Sequence, residues 1–129
     1  MRSKTQGLVF ALFGLLLAAV PVLAHHSVTA EFDPKKSFTV TGTLKKLDWT
    51  NPHAWLYLEV TAAGGPPVQW AIELSAPNAL ARRGLRPDTM RPGAALVVKG
   101  YRAKNGAPVA RGWLVKLPDG RELDLTNRE

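Results

Sequence analysis

Between Ser37 and Leu47 apolar and polar residues alternate with a period of two. Phe38, Val40, Gly42, Leu44 and Leu47 interleave with Thr39, Thr41, Thr43 and Lys45. Alternation rich in β-branched residues predicts one long strand with a buried face and a solvated face. Gly42, in its middle, predicts a bulge or sharp bend, the device that lets a strand wrap round a small barrel. A chain built on such a strand has few options: it closes a sheet around one core, or it covers an open sheet with something else.

The rest of the chain supplies the other elements. Ala54 to Thr61 reads as a second strand, with Trp55, Tyr57 and Glu59 on one face and Leu56, Leu58 and Val60 on the other. Ala62 to Pro67 is a Gly- and Pro-rich hairpin loop. Val68 to Leu74 is a third strand. Ser75 to Gly84 reads as a helix: Ser75 as its cap, Pro77 in its first turn, Arg82-Arg83 at its negative end and Gly84 as its exit. Ala95 to Arg102, Arg111 to Leu117 and Arg121 to Leu125 are the remaining strands, the last two joined by a turn at Pro118-Asp119-Gly120. Three strands, a helix, then two or three strands is the order of a small Greek-key barrel of the oligonucleotide/oligosaccharide-binding (OB) type. The expected fold class is therefore mainly β, an OB-like barrel of five to six strands with one helix. An open antiparallel sheet with one covering helix is the alternative.

The first 24 residues read as a secretory signal peptide. Arg2 and Lys4 precede an apolar run from Leu8 to Val20, and small residues stand before a cut after Ala24. That run, roughly 13 residues, is shorter than the about 20 that a spanning helix needs. The expectation is a cleaved, periplasmic protein with no transmembrane segment in its mature chain. Residues 25–36 then form a loosely held N-terminal arm anchored by Phe32, and 37–129 form the barrel domain. The leader holds two of the 17 basic residues, leaving 15 against 10 acidic ones. This mixed, mildly positive surface permits weak attraction to anionic partners. Cysteine is absent, which excludes thiol redox chemistry and cysteine-based zinc sites.

Two groups of residues could carry chemistry. Cleavage after Ala24 would make His25 the first residue, so its α-amine and ring could grip one metal together. With His26 beside it and His53 in the first loop, Trp49-Thr50-Asn51-Pro52-His53, these nitrogens could form a copper site. The plainer reading leaves His25 and His26 in solvent and has His53 bond within its own turn. The second group is aromatic and polar: Trp49, Asn51, Trp55, Trp70, Glu73, Asn78 and Tyr101 could line one face beside the helix and take a small or sugar-like ligand. Packing of these tryptophans in a small core is the competing reading. Catalysis has little to rest on. Ser27 and Ser75 lack a nucleophile-elbow context, and Glu59 with Glu73 reads equally well as strand-surface charge. The barrel order suits nucleic acid, but no basic groove with stacking aromatics can be traced.

These segments also carry a resemblance. His25-His26-Ser27, Glu31-Phe32-Asp33, Val40-Thr41-Gly42-Thr43, Trp49-Thr50-Asn51-Pro52-His53-Ala54-Trp55, Ser75-Ala76-Pro77-Asn78-Ala79-Leu80, Lys99-Gly100-Tyr101-Arg102 and Leu117-Pro118-Asp119-Gly120-Arg121 together resemble a family of small exported bacterial proteins known only as a domain of unknown function. The resemblance implies periplasmic export and a compact β-rich domain, and brings no activity with it. The functional expectation is an exported binding protein for a metal such as copper or a small ligand, not an enzyme. The alternative is a structural module that contacts another envelope protein.

Overall fold

The computed structural model describes residues 31–126. The expected signal peptide and cleavage point, with His25 and His26, lie outside the described residues. The elements run β1 (Phe32–Asp48), β2 (Trp55–Thr61), β3 (Pro67–Glu73), α1 (Pro77–Arg82), β4 (Ala95–Ala103), β5 (Val109–Lys116) and β6 (Glu122–Asp124). The described residues are mainly β with one short helix, in the element order that the alternation predicts.

β1 is shared between two neighbours. Ser37 to Thr43 pair with β4, and Thr43 to Asp48 pair with β2, both antiparallel. Thr43 stands opposite Ala95 and Glu59 alike, and the register against β2 slips between Leu44 and Lys46. Gly42 sits immediately before this handover. A Cβ there would lie 2.7 Å from the Glu59 carbonyl oxygen, so the bend expected at Gly42 is a close backbone approach that only glycine allows.

The sheet continues from β2 to β3, again antiparallel. Ala71, Ile72 and Glu73 of β3 then pair in parallel with Val109, Ala110 and Arg111 of β5, and β5 returns antiparallel to β4. The pairings β1–β2–β3–β5–β4–β1 make the sheet ring-like, so the open-sheet alternative does not hold. Its inward positions form one apolar core. Leu44, Leu56, Leu58, Ile72, Leu74, Leu96, Val98 and Val115 are all fully buried. Gly100 faces Gly112 across β4 and β5, and a Cβ on Gly100 would come 2.5 Å from the Arg111 carbonyl oxygen. Backbone cannot yield there as a flexible side chain would. Gly100→Ala should therefore cost about 2 kcal/mol or more by overpacking, read as a lower midpoint in urea; an unchanged midpoint would contradict this close approach.

Local differences from the sequence expectations have local causes. The N-terminal arm is not loose as far as Lys36, because β1 starts at Phe32, which is 3% exposed and pairs with Ala103. Ser37 pairs with Tyr101, so five steps along β1 match two along β4. The surplus residues form an irregularity closed by Lys35 N–H donating to Asp33 Oδ1 at 3.0 Å, the turn signalled by Asp33-Pro34. The helix is shorter than expected, and Ser75 does not cap it. Ala76 is the N-cap residue, with no side-chain cap bond. Ser75 is still engaged with the sheet: its carbonyl accepts from Ala54 N–H at 3.2 Å, next to the Leu74 N–H bond to Ala54 O at 2.8 Å. Leu80 of α1 and Leu85 and Met90 after it are buried in the common core. No helix among the described residues is long and apolar enough to cross a membrane.

Candidate functional site

Alternation along the strands decides which side chains share a face. Ile72 and Leu74 point inward, so Glu73 belongs to the outer face of β3. Its register neighbours are Trp55 on β2 and Arg111 on β5, and Arg111 is in turn opposite Tyr101 on β4. Trp55, Glu73, Arg111 and Tyr101 thus form one row across four strands on the outside of the ring.

Glu73 is the buried charged residue among those described, 7% exposed. Arg111 Nη1 donates to its Oε1 at 3.1 Å and to the Leu74 carbonyl at 2.7 Å. His53 Nδ1 contacts the same Oε1. An ionised carboxylate only accepts, so Nδ1 is the donor in this contact. In its neutral form, a histidine whose Nδ1 is held in this way leaves Nε2 to accept a proton or a metal. Burial lowers the pKa of Arg111 from its ordinary value, with Glu73 opposing the shift; the guanidinium remains charged at neutral pH. His53 reaches this position from the β1–β2 loop, whose Asn51–Pro52 bond is cis.

Beside the pair lies a cleft of about 190 Å³ lined by Ser75, Tyr101, Arg111, Gly112, Trp113, Leu125 and Thr126. The Tyr101 and Trp113 rings are tilted against each other with centroids 6.4 Å apart. The buried Trp113 indole nitrogen has no hydrogen-bond partner among the described residues. A larger cavity, about 370 Å³, lies where the chain enters β1 between Phe32, Ala103 and Val109, and none of the candidate residues lines it.

The structure brings together Trp55, Glu73 and Tyr101 of the expected aromatic-polar group, and adds His53 from the expected histidines. It separates the rest. Trp70 is three residues before Glu73 and therefore on the opposite, inward face. It stacks on Phe38 at 5.0 Å, with the Arg102 guanidinium 5.2 Å from its ring. Trp49 packs against the core. Asn51 and Asn78 are exposed and make no side-chain hydrogen bond among the described residues. Among the described residues no three histidine, aspartate or glutamate side chains gather as a metal site. His53 does not bond within its own turn: its partner is Glu73, twenty positions on. Arg111 and Trp113, central to the arrangement, carry no sequence signal beyond their place on a strand.

No curated protein and no solved structure matches the chain. A family of unknown function, DUF6152, matches residues 13–111, a span that includes His53, Glu73, Tyr101 and Arg111. The chain belongs to that family.

Proposed function

We propose that this is an exported, periplasmic binding protein whose ring of strands is an OB-type Greek-key barrel, and that it binds a small ligand on the outer face at Glu73 and Arg111. The fold reading draws on the helix between β3 and β4, the shared β1 and the parallel β3–β5 contact. Barrels of this type commonly bind on the face of strands two and three and through the loop between strands one and two, where Trp55, Glu73 and His53 stand. The observation that carries the reading is the buried carboxylate. Desolvating Glu73 is costly, yet it is held on the outer face by Arg111 and His53 beside an aromatic cleft, a place where a solvated polar residue would suffice for folding.

Two measurements test this. Protein expressed with its leader should lose residues 1–24 by intact mass; retention of Met1 to Ala24 would refute export. Native mass spectrometry of protein taken from the periplasm should show a bound small species. An empty protein that co-purifies with a polypeptide would instead make it an interaction module.

A second reading is copper binding, favoured by the Glu73 bond that orients His53. Reach permits it. Lys104 N–H donates to the Glu31 carbonyl at 3.0 Å. From there the Glu73 row is three residues along β4 and two strands across, about 14 Å at the usual spacings. The six-residue stretch back to His25 spans at most about 20 Å. Cu(II) should therefore bind protein beginning at His25 more tightly than a version extended by one Gly, and His53→Ala should weaken it further than His26→Ala. Equal affinity of the native and extended proteins would contradict the copper site.

A further inference from the structure

Glu73 and Arg111 offset each other's charge and still leave hydrogen-bonding groups unused. Arg111 and His53 both contact Oε1 of the carboxylate. Its Oε2 makes no hydrogen bond among the described residues. Both side-chain bonds of Arg111 use Nη1, so its Nε and Nη2 hydrogens are also uncommitted. None of these atoms is sealed in. Among the described residues the buried side-chain polar atom without a partner is the Trp113 indole nitrogen, so Glu73 Oε2 and the spare Arg111 N–H groups reach solvent. Trp55 stands directly across from Glu73 on β2, which puts the two Cβ atoms about 5 Å apart. It is half-buried, yet lies outside the apolar core against which Trp49 and Trp70 pack. Its ring meets no other ring and no cation among the described residues, whereas Lys46 Nζ covers the neighbouring Tyr57 ring at 5.3 Å. A large apolar ring therefore stands at the surface next to a spare acceptor and spare donors.

We infer that the patch formed by Trp55, Glu73 and Arg111 takes an uncharged saccharide, with one sugar ring lying on the Trp55 indole and its hydroxyls donating to Glu73 Oε2 and accepting from Arg111. The inference rests on the outer face being a binding site and names its ligand class. Charge sets the first limit. The carboxylate and the guanidinium are paired at 3.1 Å, so an anion is repelled by Glu73 and a cation by Arg111, and only a neutral ligand escapes both. Hydrogen bonding sets the second. A carboxylate only accepts and a guanidinium only donates, while a hydroxyl does both. Adjacent hydroxyls on one sugar ring answer both groups and leave the ion pair intact. The C–H face of the same ring covers the apolar Trp55 indole. Two strand spacings, about 10 Å, separate Trp55 from Arg111, a span that a short chain of sugar rings covers.

The probes are three neutral trisaccharides, maltotriose, cellotriose and tri-N-acetylchitotriose, titrated into dialysed protein and followed by NMR. The controls are the deacetylated chitosan trimer, a cation, and trigalacturonate, an anion. At least one neutral trimer should bind saturably with a dissociation constant below about 1 mM, shifting the Trp55 indole N–H and the Arg111 Nε–H. Both charged trimers should bind at least tenfold more weakly. This comparison needs no variant. Trp55→Ala should weaken the neutral trimer at least tenfold, and Trp55→Phe, which keeps an aromatic face, should restore most of the affinity. Equal or tighter binding of a charged trimer, or an unchanged affinity in a folded Trp55→Ala protein, would overturn the assignment. If all three neutral trimers fail while native protein carries another bound species that shifts the same residues, the saccharide class falls and the binding face stands. If they fail and native protein is empty, both fall.

Discussion

Arg111→Ala is expected to remove about 3 kcal/mol of stability or more, because breaking a buried ion pair leaves the other charge uncompensated. Glu73 would keep His53 alone, its side chain 9% exposed, and the Leu74 carbonyl would lose its 2.7 Å donor. For a domain near 100 residues that loss lowers the thermal midpoint by roughly 12–24 °C. The control is the double variant Glu73→Leu with Arg111→Met. Replacing both partners by apolar groups of similar size is often close to neutral, so the double variant should be more stable than Arg111→Ala. Thermal melts of the three proteins decide it. A loss below about 1 kcal/mol for Arg111→Ala would place the pair among ordinary surface ion pairs and remove the argument that it is retained for binding.

Leu80→Asp should have a still larger effect. A helix of six residues is too short to persist by itself. It is held by burial, and Leu80 is 0% exposed within the core. Truncating a buried leucine costs about 2–5 kcal/mol; an unpaired carboxylate adds its own desolvation penalty. The variant should lose cooperative unfolding at room temperature. A change below about 0.5 kcal/mol, the usual surface range, would mean that α1 is not packed on the ring.

The residues legible in the sequence were those whose pattern is local. Period-two alternation located β2 to β5 within about two positions but started β1 five residues late, and Pro118-Asp119-Gly120 placed the connection from β5 to β6, whereas Asp33-Pro34 fall inside β1. Gly42 was readable as a special position, but what requires glycine there is the close carbonyl of Glu59 on the next strand, and the register slips further on, between Leu44 and Lys46. The closure of the ring was illegible, since the parallel contact of Ala71–Glu73 with Val109–Arg111 joins segments nearly forty residues apart. The same contact makes the Glu73–Arg111 pair, so Arg111 could not be singled out among many strand-surface cations. Trp70 is the opposite case. Its odd spacing from Glu73 already puts it on the other face, and grouping the two by residue type overlooked that parity. The Ser75 cap failed because the sheet pairing runs on through the Ser75 backbone carbonyl, which accepts from Ala54 N–H, and the helix starts one residue later at an Ala76 N-cap.

The central claim is that ligand binds on the outer row of β2, β3, β5 and β4. Amide-resolved NMR tests it most directly, by comparing protein that carries its periplasmic ligand with the same protein after that ligand is removed. The account predicts that the largest shifts fall on His53, Trp55, Glu73, Ser75, Tyr101 and Arg111 to Trp113, and on the Trp113 indole N–H. Shifts concentrated instead around Phe32, Ala103 and Asn105, or around Phe38, Trp70 and Arg102, would contradict it.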